Sequence, residues 1–254
     1  MSALRVHILT LFPDFFKGPL ESSILGRSQS NGHVTVEISN IRDFAENKHN
    51  RIDDEPFGGG GGMVMQAGPV VRAIEHARQK DPELHMIQLS PKGRPFSQRI
   101  AAELAEKSAL GFVCGHYEGI DARAQEFMDD SISLGDFVLT GGEIGALAVL
   151  DAVSRLREGV LGNPESALAE SHTGDFLLEH PHFTRPRSFR GMEVPEVLLS
   201  GNHGEIAKWR RQMSVAETAR LRPDLISKAS LSDDEIASLR DLQKESEGNN
   251  GKKT

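Results

Sequence analysis

The sequence predicts an α/β protein with a mainly parallel sheet, followed by a smaller, mainly helical C-terminal part. Three observations carry this. Up to about Val160, short apolar runs alternate with segments of helical period, which implies a sheet covered on both faces. Glycine-bearing turns recur where apolar runs end. Beyond a polar stretch, Gly162–Phe176, the pattern becomes helical.

Residues 4–12 form the first strand candidate, and His33–Ser39 alternates with Val34, Val36 and Ile38 on one face. Pro69 is expected to open a helix running to about Lys80, because proline's missing N–H costs nothing at a first helical position. Met86–Leu89 reads as a strand ended by Ser90–Arg94, and Ser97 as the cap of a helix to about Lys107. Leu110–Cys114 and Phe137–Leu139 read as short buried strands, with a helix near Gly119–Glu126 and an apolar-faced helix from Gly142 to Leu156. In the C-terminal part, helices are expected over Gly204–Met213 and Ala216–Arg222. Another starts at Ser232, where Glu235 can close a capping box. Glu247–Thr254 is a polar tail of disordered composition.

A chain of 254 residues can bury a sizeable core. No apolar run approaches membrane-span length and the start lacks a signal-peptide pattern, so a cytoplasmic protein with no membrane partner is expected. The single cysteine, Cys114, excludes an internal disulfide and an all-cysteine metal site, and ending a strand it suits a buried apolar role. His172, His180 and His182 lack a well-spaced partner set, so no metal site is expected. The net charge of −8 argues against nonspecific coating of nucleic acid. Its distribution is uneven: Pro181–Arg222 holds eight basic and four acidic residues, a basic module on an acidic protein.

Four glycine-bearing loops carry the functional signal: FGGGGGM (57–63), SPKGR (90–94), CGHYEGID (114–121) and LTGGE (139–143). Glycine lets backbone N–H and C=O groups approach a ligand closely. Met63-Val64 supplies neither the lysine nor the hydroxyl of a P-loop, and the run lacks the third glycine of a dinucleotide fingerprint. A mobile wall of a ligand pocket is the expected role of that run.

Read with TLFPDFF (10–16), DAVSR (151–155), PHFTRP (181–186) and SGNHGEIAKWR (200–210), these loops resemble the bacterial tRNA (guanine-N1)-methyltransferase (TrmD) family of the SPOUT class. The motifs stand in the family's order up to about Leu225. The resemblance implies a SPOUT-type parallel sheet with a C-terminal trefoil knot, an exception to unknotted connections. It divides the chain into a cofactor-binding domain (1–161), a linker (162–176), a helical tRNA-binding domain (177–246) and the tail (247–254). It further implies a homodimer that methylates N1 of the guanine 3′ of the anticodon, position 37, in tRNA, using S-adenosyl-L-methionine with Mg²⁺ as a helper ion.

The resemblance places cofactor contacts on Leu89, Ser90, Pro91, Gly115, Tyr117, Glu118, Gly119, Ser133, Leu134, Gly135, Phe137, Leu139, Gly141 and Gly142. Arg155 matches the arginine that stabilises charge on O6. The linker base falls on Glu170, with Asp175 as the rival. His116 stands where the family usually has arginine. Two other readings remain open: a SPOUT methyltransferase acting on another RNA base or ribose, and a noncatalytic RNA-binding module.

Overall fold

The computed structural model describes residues 3–162, 170–174 and 176–240. By its internal contacts the chain forms two compact units, residues 1–164 and 165–254. Most of the stretch expected to link them, 163–169 and 175, lies outside the described residues, as do 241–254.

In the first unit the chain runs through β1 (Leu4–Thr10), a 3-10 turn (Pro13–Phe16), α1 (Lys17–Glu21), α2 (Ser23–Ser30) and β2 (Val34–Asn40). A small antiparallel pair follows, β3 (Asp53–Asp54) with β4 (Val64–Met65), then α3 (Ala67–Lys80), β5 (His85–Pro95), α4 (Gln98–Ala105) and β6 (Ala109–Cys114). A 3-10 turn (Ala122–Phe127), β7 (Asp130–Ser133) and α5 (Glu143–Ser154) complete it. Five strands form one parallel sheet in the order β2-β1-β6-β5-β7. Ile8 stands level with Ile38 on one side and Phe112 on the other, and Ile87 with Phe112.

Side chains alternate across a strand, so each strand feeds two cores. Leu4, Val6 and Ile8 face one layer with Phe112, Ile100, Leu104, Val149 and Val153, under α2, α4 and α5. Leu9, Leu11, Met86 and Val113 face the other, under Val70, Ala73, Ile74 and Ala77 of α3. β6, the middle strand, is buried at all six residues, as a strand covered on both faces must be.

Several expectations shift. Pro69 is the third residue of α3, still in the first turn where N–H groups have no intrahelical acceptor. SPKGR does not end β5; the strand continues to Pro95 across a register shift between Leu89 and Arg94. The strand expected at Phe137–Leu139 is absent, and β7 lies upstream of it. Phe137 and Val138 are 54% and 84% exposed, so their apolar run reflects an open loop wall rather than a sheet core. The helix expected near 119–126 is a 3-10 turn capped by Asp121, whose side chain accepts from Arg123 N–H. Ser97 caps α4 as expected, accepting from Ile100 N–H.

The second unit contains a short hairpin, β8 (Ser188–Phe189) with β9 (Met192–Glu193), then α6 (Glu196–Leu199), α7 (His203–Leu221) and α8 (Pro223–Ile226), with further helix over 233–240. The two helices expected between Gly204 and Arg222 are one. Thr218 is fully buried; its hydroxyl donates to the carbonyl of Ser214 and accepts the N–H of Leu178, which docks the extended segment onto α7. At 232–235 the capping box forms, Ser232 N–H donating to Glu235 and Glu235 N–H to the Ser232 hydroxyl.

Candidate active site

The C-terminal ends of β5, β6 and β7 open on one side of the sheet, where parallel α/β folds carry their ligands. Each strand hands over to a loop with few side chains. After β6, Gly115 to Gly119 makes a tight turn in which Gly119 N–H donates to His116 carbonyl. Tyr117 takes the left-handed φ of +61° and Gly119 one of +122°. After β7, Ser133 hydroxyl accepts the N–H of Gly135, and Phe137 N–H donates to Gly135 carbonyl. The chain then returns to β6: Gly142 N–H donates to Gly115 carbonyl at 3.0 Å, and His116 pairs with Gly141 in a one-residue antiparallel bridge. A Cβ on Gly142 would lie 2.7 Å from Cys114 Cα, so only glycine permits this approach.

These loops enclose a cavity of about 300 Å³. All fourteen residues expected to contact the cofactor line it: Leu89, Ser90, Pro91, Gly115, Tyr117, Glu118, Gly119, Ser133, Leu134, Gly135, Phe137, Leu139, Gly141 and Gly142. The glycine run 58–62 does not line the cavity. It meets the site through its last members: a Cβ on Gly62 would fall 2.5 Å from the carboxylate of Glu118, and Met63 carbonyl accepts Glu118 N–H at 3.0 Å.

Behind the glycine wall lies a polar group whose burial sequence reasoning missed. Glu143, in the first turn of α5, is 4% exposed. It accepts from the Thr10 hydroxyl at 2.6 Å and lies 2.8 Å from His116 Nε2. Its position after two glycines made it visible as an acid, but nothing in periodicity signals a carboxylate inside an apolar helix. Cys114 is buried as expected, and burial, with the nearby Glu143 charge, pushes its thiol well above the usual range, which leaves it unreactive.

Of the two expected catalytic residues, one belongs to the unit that holds the cavity and one to the other unit. Arg155 is the C-terminal cap of α5, while Gly142 caps its start. At about 1.5 Å per residue these ends stand roughly 20 Å apart, beyond the reach of an arginine side chain. Arg155 does not line the cavity. Glu170 belongs to the second unit, where its carbonyl accepts from Thr173 N–H and hydroxyl. Asp175 lies outside the described residues.

In the second unit the basic cluster divides by pairing. Arg187 binds Glu196, Arg211 binds Glu235, Arg220 binds Glu217 and Arg222 binds Asp224. Arg185, Arg190, Lys208 and Arg210 are exposed and make no ion pair among the described residues, Arg190 lying over the Phe189 ring. Trp209 packs near Phe183 and His180. Glu179, His180 and His182 converge more closely than their spacing suggests, with donor atoms within 4.8 Å. His182 lies 3.0 Å from Glu179, and its ring packs tilted against that of His180.

No helix among the described residues is long and apolar enough to cross a membrane. The family profile described as tRNA (guanine-1)-methyltransferase TrmD matches residues 4–228. The chain is 52% identical over 242 residues to the tRNA (guanine-N(1)-)-methyltransferase of Geotalea uraniireducens, covering 95% of this chain and 98% of the relative. The protein of that name from Caldanaerobacter subterraneus is 51% identical over 234 residues, covering 92% and 96%. That from Dehalococcoides mccartyi strain 195 is 50% identical over 231, covering 90% and 93%.

Proposed function

The chain belongs to the tRNA (guanine-1)-methyltransferase TrmD family, and on that premise we propose that it methylates N1 of the guanine 3′ of the anticodon, position 37, in tRNA, drawing the methyl group from S-adenosyl-L-methionine. The single observation that carries the cofactor assignment is the convergence of the fourteen loop residues on one cavity.

The cavity fits that cofactor on chemical grounds. Its volume is at the low end of the range for small-molecule sites. Leu89, Pro91, Leu134 and Leu139 offer apolar surface to a purine, while Ser90, Ser133 and backbone groups of the glycine turns suit ribose and carboxylate. Glu118 favours the cationic end of the ligand. When bound, S-adenosylmethionine supplies an electrophilic methyl group on sulfur. Mg²⁺ belongs to the proposal only as a helper, without assigned ligands.

Guanine N1 bears a proton, so the chain must remove it as the methyl group arrives. Glu170 is proposed to accept that proton, and Arg155 to hold the negative charge that grows on O6, for which its planar fork of donors is suited. The electron pair left on N1 would then be free to form the N–CH₃ bond, with S-adenosylhomocysteine as the leaving group.

A homodimer follows from the same reading. Arg155 stands roughly 20 Å along α5 from the glycine wall, so it is proposed to serve the cavity of a second subunit together with Glu170. The domain division at 161, 162–176 and 177–246, the mainly helical tRNA-binding role of the second unit, the trefoil knot at the glycine loops and a cytoplasmic setting belong to the same proposal. Incubating the protein with S-adenosylmethionine and tRNA, then locating the modified base and atom by mass spectrometry, tests it. Methyl found on another base or on a ribose would reject the N1-guanine assignment.

A further inference from the structure

Glu143 is the only buried carboxylate among the described residues, and the proposed methyl transfer makes no use of it. A carboxylate at that depth persists only where it is paired and fully hydrogen-bonded. Its partners come from separate parts of the fold. Thr10, the last residue of β1, donates its hydroxyl at 2.6 Å, and the same oxygen accepts the N–H of Phe12 at 2.9 Å. His116, from the turn after β6, brings Nε2 to 2.8 and 2.9 Å from the two carboxylate oxygens. Glu143 itself sits in the first turn of α5, where the exposed N–H groups favour negative charge. The Phe12 ring packs on the imidazole at 4.8 Å.

This network presses directly on the cavity wall. The imidazole lies close against Gly141: a Cβ there would come within 2.2 and 2.3 Å of ring atoms and 2.4 Å of Glu143 Oε2. His116 and Gly141 both line the cavity, whereas Glu143 stands behind them. An apolar filling of the same volume would avoid the cost of taking these polar groups out of water. A polar network instead fixes one arrangement of the three segments that meet there.

We propose that His116 and Glu143 are positioning residues for cofactor binding, acting as one buried latch that ties β1, the turn after β6 and the start of α5 together. The latch holds the glycine wall in the shape the ligand needs. This rests on the reading of the cavity as the S-adenosylmethionine site.

The test uses the full-length protein with S-adenosylhomocysteine as the calorimetric probe. Glu143→Gln and His116→Phe are each expected to weaken binding by about tenfold or more, the effect of losing a buried charge-assisted hydrogen bond. The double variant should bind no more weakly than the worse single one, because both break the same latch. At saturating S-adenosylmethionine, the single-turnover rate should stay within about threefold of wild type, with tRNA affinity unchanged. Thr10→Val removes the hydroxyl that donates to Glu143, at a position outside the cavity lining, and should show the same split. Thermal unfolding without ligand identifies a variant that fails to fold; if Glu143→Gln does, the other two decide. Wild-type affinity in the single variants, additive losses in the double, or a lost rate with intact affinity would each overturn the latch. Wild-type protein that binds no S-adenosylhomocysteine overturns the cofactor reading beneath it.

Discussion

The amide of Gly142 donates to the carbonyl of Gly115 at 3.0 Å, joining two turns that are 27 positions apart in the chain. Through that bond the end of β6 and the beginning of α5 form a continuous backbone wall. A side chain on Gly142 would strike the backbone at Cys114, which cannot rotate away. Gly142→Ala is therefore expected to weaken S-adenosylhomocysteine binding at least tenfold and to lower stability by about 1–3 kcal/mol, the scale of overpacking. Calorimetry and chemical unfolding check the two halves of the prediction.

Arg155→Ala and Glu170→Ala should each slow single-turnover methylation by about a hundredfold or more, the scale of acid–base and oxyanion groups. Their cofactor affinity should stay near wild type, since neither is among the fourteen residues proposed to contact the cofactor. Asp175→Ala should matter far less. Inactivity of the Asp175 variant with an active Glu170 variant would transfer the base to Asp175.

If the site is shared between subunits, two inactive proteins can repair each other. Mixing Gly142→Ala with the double variant Arg155→Ala/Glu170→Ala gives heterodimers in which one site has an intact cavity and intact catalytic groups. Random exchange should restore roughly a quarter of wild-type activity. No recovery after verified subunit exchange would show that Arg155 and Glu170 serve their own subunit's cavity.

Salt dependence of tRNA binding should follow the unpaired cations. Arg185, Lys208 and Arg210 have no carboxylate partner among the described residues. Each one that contacts phosphate should, when replaced by alanine, lower the log–log salt slope by roughly 0.7 to 0.9. Arg220→Ala, which also frees Glu217, should change the slope less. Equal slopes for all four variants would place the contact surface elsewhere.

Stability should fall on the acid side in two stages. Burial holds His7 and His85 below the usual imidazole range, so the fold favours their neutral forms. Their contribution is complete above the unfolded value of about 6.5 and is lost as pH falls through the lower folded values. Asp81, held low by its hydrogen bond to Arg5, and Asp121, held low by Arg123, lose their share only as pH falls further, below about 4. His7→Leu should flatten the first stage in unfolding midpoints measured from pH 7.5 to 5. An unchanged slope would mean that His7 gains no neutral preference on folding.

Much of the candidate site was legible because its residues are local to strand ends. Gly115, Gly119, Gly141 and Gly142 each follow an apolar run within a few residues, and their need for close backbone approach is written in residue type alone. Phe137–Leu139 misled for a complementary reason: apolar residues that wall a cavity look like a buried strand when only composition is visible. Long-range facts left no local trace. That Thr10 meets Glu143, 133 positions away, depends on how the sheet is threaded, as does the distance of Arg155 from the glycine wall. α7 runs unbroken through Ser214 and Val215, where residue type alone shows no link between the two helical stretches. Within that continuous helix Thr218 turns its hydroxyl back to the Ser214 carbonyl.

The middle place of β6 has a consequence for how the protein is made. β1 lies between β2 and β6 in the sheet, yet β6 begins at Ala109, far along the chain from the end of β1 at Thr10. As the chain leaves the ribosome, β1 can pair with β2 early while its other edge, lined by Val6, Ile8 and Leu9, waits for residues 109–114. An unpaired apolar strand edge is a template for wrong pairing. Nascent chains halted before Ala109 should therefore be more prone to aggregate and to recruit chaperones than chains extended past Cys114, a difference that pelleting of stalled ribosome complexes can measure.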